Sequence, residues 1–232
     1  MEPTICTPEI YNGAGVYNTG ATGGGGDTPI DWSQFLIYEY ALKKSGGNAF
    51  NRITTGKFLD LLSNITNSDT DEYDIEIKLQ LNGSLSGDGI FMGSGGGLPS
   101  NFEIHATSGQ LSLQKMCSSS SYPYCILSVS SGIDLVINIL NSKVVYNGNN
   151  YSWNRNWNQL KKECSHIDYP YCGYWDENGS RFYYVAIKKD NIILSKIVFA
   201  KNLNTNKLGF LDSVNGDFFP LGDSNNNFGP PE

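Results

Sequence analysis

Three carboxylates at next-but-one spacing, in Glu72-Tyr73-Asp74-Ile75-Glu76, are the residues of this chain best suited by type to chemistry. Alternate residues of a strand share a face, so E-x-D-x-E would align a nucleophile, a middle aspartate and an acid/base. Retaining glycoside hydrolysis asks for two such carboxyl groups about 5 Å apart. The same face continues with Lys78 and Gln80, as the wet side of an amphipathic strand does, and Asn67-Ser68-Asp69-Thr70-Asp71 just before it draws Glu72 toward a turn. The structural reading is therefore preferred, and the chain is expected not to be an enzyme.

Four of the five cysteines fall in a repeated nonapeptide frame, Cys117 to Cys125 and Cys164 to Cys172, each ending Tyr-Pro-Tyr-Cys; Cys6 stands apart. The matched spacing suits two local disulfides, Cys117 with Cys125 and Cys164 with Cys172, whereas assembly in a reducing cytoplasm would leave free thiols. A zinc knuckle is disfavoured, because its ligand pairs are closer together in sequence. His105 and His166 have no nucleophile motif nearby, and Gly93-Ser94-Gly95-Gly96-Gly97 lacks the lysine of a phosphate loop. No metal or cofactor is implied.

Tyr151, Trp153, Arg155 and Trp157 combine flat rings with amide and guanidinium neighbours, the mixture of a carbohydrate-binding surface. The competing reading is that Tyr151 and Trp153 alternate into a strand's core.

These residues need a scaffold, and composition points to β structure. Only 17% of the 232 residues are charged, while 26 glycines and 14 tyrosines favour short strands and tight turns. A net charge of -7 excludes a phosphate-tracking nucleic-acid surface. No apolar run is long enough to span a membrane, and the start Met1-Glu2-Pro3-Thr4 lacks a signal-peptide layout, so cytoplasmic synthesis is expected.

Residues 1–30 read as an arm: Ile10-Tyr11-Asn12-Gly13 is echoed by Val16-Tyr17-Asn18-Thr19-Gly20, ahead of a glycine run. Too little apolar area is present for it to fold alone, so Ile10, Tyr11, Val16 and Tyr17 are candidates for docking on a partner. Residues 31–47 are expected to form one short helix, with Asp31 as cap, Gln34 three residues on, and Gly46-Gly47 as the stop. Its stripe of Trp32, Phe35 and Leu36 would gather protomers into a dimer or trimer. From residue 57 onward the period is two, with Tyr73, Ile75, Ile77, Leu79 and Leu81 facing inward. Further strands are expected at 57–62, 89–93, 101–106, 110–115, 125–130, 133–139, 143–147, 182–188, 192–199, 207–212 and 217–219. Turns at Asn147-Gly148, Asp190-Asn191 and Asn215-Gly216 separate several of them. Residues 48–232 thus predict an antiparallel β-sandwich or jelly roll.

The run Asp176-Glu177-Asn178-Gly179-Ser180-Arg181, the hairpin from Tyr184 to Ile193, and Lys207-Leu208-Gly209-Phe210-Leu211-Asp212-Ser213-Val214-Asn215-Gly216-Asp217-Phe218-Phe219 resemble the closing strands of laminin G-like, concanavalin A-like domains. Such domains are frequent in structural proteins of gut bacteriophages, crAss-like phages included. The resemblance covers about residues 55–225 and implies a concanavalin A-like jelly roll on a virion. It implies a head-fibre or receptor-binding protein that docks on a capsid or tail protein through its arm and is able to present its sandwich to a glycan. Laminarinase-type glucanases share that sandwich and use an E-x-D-x-E strand, so Glu72, Asp74 and Glu76 define the alternative function.

Overall fold

The computed structural model describes residues 30–43, 56–66, 70–82, 101–107, 110–116, 124–154, 179–221 and 228–231. The docking candidates Ile10, Tyr11, Val16 and Tyr17 lie outside them. The described elements are β1 (Phe35–Ile37), β2 (Ala41–Lys43), α1 (Lys57–Thr66), β3 (Tyr73–Gln80), β4 (Asn101–Thr107), β5 (Gln110–Met116) and β6 (Tyr124–Ser128). They continue with β7 (Asp134–Ile139), β8 (Lys143–Tyr146), β9 (Asn149–Ser152), β10 (Arg181–Lys189), β11 (Ile192–Asn202), β12 (Lys207–Asp212), β13 (Phe218–Pro220) and β14 (Phe228–Gly229).

All described pairings are antiparallel. The large sheet runs β13-β12-β11-β10-β3-β7-β8-β9, and β4-β5-β6 form a second, smaller sheet. Both sheets contribute to one apolar cluster. Ile75, Ile77 and Leu79 of β3, Leu135, Ile137 and Ile139 of β7, and Phe199 of β11 meet Leu111, Leu113, Cys125 and Leu127 of the small sheet. Burial in β6 and β7 alternates strictly, which is the period-two pattern of strands wet on one side. The chain is thus an all-β sandwich, as its periodicity predicts.

The large sheet forks at its centre. β11 pairs with β10 as far as Tyr184↔Val198, and beyond that point the two strands separate. β1 takes over the edge of β11 (Ile37↔Ala200), while β2 takes over that of β10 (Phe182↔Ala41), and Tyr38 N donates to Phe199 O at 3.0 Å between them. β14 then adds to the far side of β2. Backbone groups left orphaned by the divergence are satisfied by the N-terminal segment.

Two expectations are corrected by this architecture. Residues 31–43, the described part of the segment 31–47 expected to be a helix, are not helical: Asp31 does cap, accepting from Ser33 N at 3.0 Å, but it caps only a single 3-10 turn, Trp32–Gln34, after which the chain enters β1 and β2. Trp32 and Phe35 pack on Val198, Ala200 and Leu211 of their own chain, and Leu36 sits opposite Lys201 in the sheet. The helical stripe proposed to drive oligomerisation therefore does not exist. Conversely, residues 57–62 are not a strand but the start of α1, whose Phe58, Leu61 and Ile65 recur at helical spacing and enter the core. Burying each such side chain contributes roughly 1.5–3 kcal/mol.

Asp217 fixes the start of α1 from the other end of the chain, its Oδ2 accepting from Lys57 N at 3.1 Å. At Gly209 of β12 any Cβ would lie 2.4 Å from Phe219 O, so only glycine permits β13 to approach this closely. Pro220 closes the β13 edge, which cannot donate there.

Candidate functional site

The outer face of the large sheet, away from the core, carries the carboxylate motif. In β3 the odd residues face inward, so Asp74, Glu76, Lys78 and Gln80 line the outer surface. Register sets their neighbours: Asn138 of β7 and Ala186 of β10 flank Glu76, Lys188 flanks Asp74, and Lys196 of β11 lies one strand beyond Ala186.

A β-bulge enriches this face with aromatics. Phe182 pairs with Leu79 but Tyr184 pairs with Lys78, leaving Tyr183 as the extra residue. Phe182 and Val185 both point into the core, and the two tyrosines between them are turned outward. Tyr183 Oη donates to Asp134 Oδ1 at 2.9 Å, and Tyr184 Oη donates to Glu76 Oε1 at 2.9 Å. Lys78 lies 4.2 Å over the Tyr183 ring and 3.1 Å from Asp134 Oδ2; Lys196 lies 4.3 Å over the Tyr184 ring. Beside the fork, Arg181 stacks 4.7 Å over Tyr40. The result is a continuous band of tyrosines, amides and paired charges along β3 and β10.

Within the band each motif carboxylate has a different environment. Glu76 Oε2 receives Lys188 Nζ at 2.5 Å. Glu72 lies in the turn before β3, as its polar neighbours predict, and pairs with Lys189. That turn is tied to the β7–β8 turn by Ser142 N donating to Asp71 Oδ1 at 2.7 Å and Asn141 Nδ2 donating to Thr70 O at 2.6 Å. Glu72 and Glu76 are thus held in two separate ion pairs, with Lys189 and Lys188.

Asp74 is half-buried, and its Oδ1 makes no hydrogen bond; nor does Asn138 Oδ1 on the neighbouring strand. Burial pushes the Asp74 carboxyl above its ordinary range, against the pull of Lys188 and with the repulsion of Glu76. Burial likewise lowers Lys196, with Glu76 opposing and Lys188 and Lys78 assisting.

The linkage of Asp74 to stability has a definite sign. The folded chain holds this proton more tightly than the unfolded one, so the contribution is complete below pH 3.8 and is lost as pH rises through the elevated folded value. Asp74→Asn should therefore raise the melting temperature by a few degrees at neutral pH and change little below pH 3.8. Thermal melts across this range check the prediction; a lower neutral-pH melting temperature would mean that attraction to Lys188 outweighs desolvation.

The other candidates fall elsewhere. Trp153 is buried, with its indole N–H donating to Leu140 O at 3.1 Å, and Tyr151 is partly buried against the same core. Arg155 and Trp157 lie outside the described residues. Cys125 is a free thiol in the core between the sheets, and burial pushes it up to about 11. Cys117, the residue expected to bridge to it, lies outside the described residues, as do Cys6, Cys164 and Cys172. No group of three His, Cys, Asp or Glu residues among the described residues is placed to hold a metal.

Sequence reasoning missed Tyr183, Tyr184, Asp134, Asn138 and Lys196 as parts of one face. A signal was present in Phe182-Tyr183-Tyr184-Val185, where two inward residues stand three apart instead of two, the phase slip of a bulge.

No described helix is long and apolar enough to cross a membrane. No protein-family model matches the chain, and no curated protein is similar to it at a significant level.

Proposed function

We propose that this chain is a non-enzymatic virion protein of a bacteriophage, a head-fibre or decoration protein with a concanavalin A-like jelly roll. The expected arm, residues 1–30 less Ile30, which lies against Gly216, docks on a capsid or tail protein, and the sandwich projects outward as a homo-oligomeric, lectin-like module able to adhere to host or mucosal glycans. The observation that carries the non-enzymatic reading is the separate pairing of Glu72 with Lys189 and of Glu76 with Lys188 and Tyr184. A retaining hydrolase works its two acids as a pair across one bond, whereas here each is engaged by a lysine of its own.

The particle setting is supported by the resemblance carried by residues 176–219. The described part of that run forms β10 to β13 and their turns. The outer face of β3 and β10, where Glu76, Lys78 and Tyr184 are partly exposed and Tyr183 is buried, is a further candidate surface for a glycan beside Tyr151, Trp153, Arg155 and Trp157, since rings beside charges suit sugar hydroxyls.

A tail receptor-binding protein is the second reading, with the same sandwich and a different docking partner. The laminarinase-type alternative requires that β-glucans release reducing ends in the presence of the protein and that Glu76→Gln abolish the release. Particle purification followed by mass spectrometry tests the principal reading.

A further inference from the structure

We propose that the Asn147-Gly148 turn is a site of spontaneous deamidation and isoaspartate formation, and that it lies where the change loosens the junction between the two sheets. In this reaction the Gly148 backbone nitrogen attacks Asn147 Cγ and the side-chain nitrogen leaves as ammonia. A succinimide results. Water then opens the ring at either carbonyl, giving aspartate or, with the chain rerouted through the side chain, isoaspartate. Water is the only co-reactant, and no oxidant or enzyme is required.

Two Asn-Gly pairs are described in full, and their surroundings differ in every respect that matters to this chemistry. Asn147 and Gly148, at φ 50 and φ 73, form the exposed two-residue tip of the β8–β9 hairpin. Nothing lies within 4 Å of the position a Gly148 Cβ would occupy. Among the described contacts the Asn147 side chain makes no hydrogen bond; only its backbone carbonyl is engaged, by Asn149 Nδ2 at 3.3 Å. Ring closure requires rotation about the Asn147 Cα–C bond, and at this tip that rotation displaces only water.

Asn215-Gly216 is held at both reacting groups. The Gly216 nitrogen, the would-be nucleophile, donates to Asp212 O at 2.8 Å. The Asn215 side-chain nitrogen, the would-be leaving group, donates to Leu194 O at 3.0 Å and to Asp212 Oδ2 at 2.8 Å. Gly216 is also covered by Ile30. The same dipeptide is thus free in one turn and clamped in the other.

Isoaspartate would add a backbone atom to a two-residue loop and so disturb the register Tyr146↔Asn149 and Val144↔Tyr151. β9 leads directly to Trp153 in the core and to Asn154, which joins the large sheet to β6. There Asn154 N donates to Tyr124 O at 3.0 Å and Tyr124 N donates to Asn154 Oδ1 at 2.6 Å.

The test incubates the full-length protein in mildly alkaline buffer made with heavy-oxygen water, in parallel without and with urea, and maps peptides by mass spectrometry with isoaspartate resolved. In the folded protein the Asn147 peptide should take up label several-fold faster than the Asn215 peptide. In urea the two rates should converge, because both sites then have the intrinsic rate of the dipeptide. Equal rates in the folded protein, or labelling of Asn147 only in urea, would overturn the proposal.

Discussion

Replacing Asp212 by alanine should lower the unfolding free energy by about 2–4 kcal/mol, a large part of what a domain of this size has in reserve. The Asp212 carboxylate has no exposed surface. Its charge is satisfied by neutral donors. Oδ1 accepts from the backbone nitrogens of Lys196, Val214 and Asn215 at 3.2, 3.0 and 3.1 Å, and Oδ2 accepts from Ser195 Oγ at 2.5 Å and Asn215 Nδ2 at 2.8 Å. Alanine would leave these five donors without that acceptor in a part-buried turn.

The loss would spread beyond the turn. Ser213 N and Asn215 Nδ2 also cover Lys196 O and Leu194 O on the exposed flank of β11, and Asp217, at the end of the same loop, caps α1. Asp212→Asn retains one acceptor and should cost roughly half as much. Urea denaturation of the three proteins measures these differences. A loss within about 1 kcal/mol for Asp212→Ala would mean that the loop reorganises around the missing group.

Two truncations should part sharply. A protein beginning at Ile30 should melt like the full chain, and one beginning at residue 44 should show no cooperative transition. Residues 30–43 close the fork between β10 and β11, donate from Tyr38 and accept at Gln34 O from Leu203 N at 2.7 Å, and place Ala41 in the core. Their Trp32, Phe35 and Ile37 cover Val198, Ala200 and Leu211 on the outer face. At roughly 1.5–3 kcal/mol for each large apolar side chain buried, this segment accounts for an amount comparable to the total stability. Circular dichroism melts of both truncations are sufficient. Loss of the transition on removing residues 1–29 alone would make the arm part of the fold, and a normal melt without residues 30–43 would show that the fork closes unaided.

Legibility in the sequence tracked the range of the interactions. β12 occupies residues 207–212 as its pattern predicts, and the Asn147-Gly148, Asp190-Asn191 and Asn215-Gly216 turns stand where local chemistry puts them. The Asp212 turn lay within the run that carries the family resemblance, although its role as a brace needed the structure. Errors came where distant strands decide local conformation. Residues 35–43 carry a plausible helical stripe, yet the fork in the sheet offers them hydrogen bonds that only strands can use. Phe58, Leu61 and Ile65 had helical spacing, but the short apolar-rich run Lys57-Phe58-Leu59-Asp60-Leu61-Leu62 read equally as a strand. The outer band escaped notice because register, not spacing, brings Asn138, Glu76 and Lys196 into one row.

The central claim is that this sandwich is a component of a phage particle, carried there by its N-terminal arm. Phage particles from a host expressing either the full chain or the protein beginning at Ile30 can be purified by density gradient and their proteins counted by mass spectrometry. The full chain should be present in fixed stoichiometry with the capsid or tail protein it docks on, and the truncated protein, though folded, should be absent. A full-length protein that remains in the lysate supernatant, with none in the particles, would contradict the account.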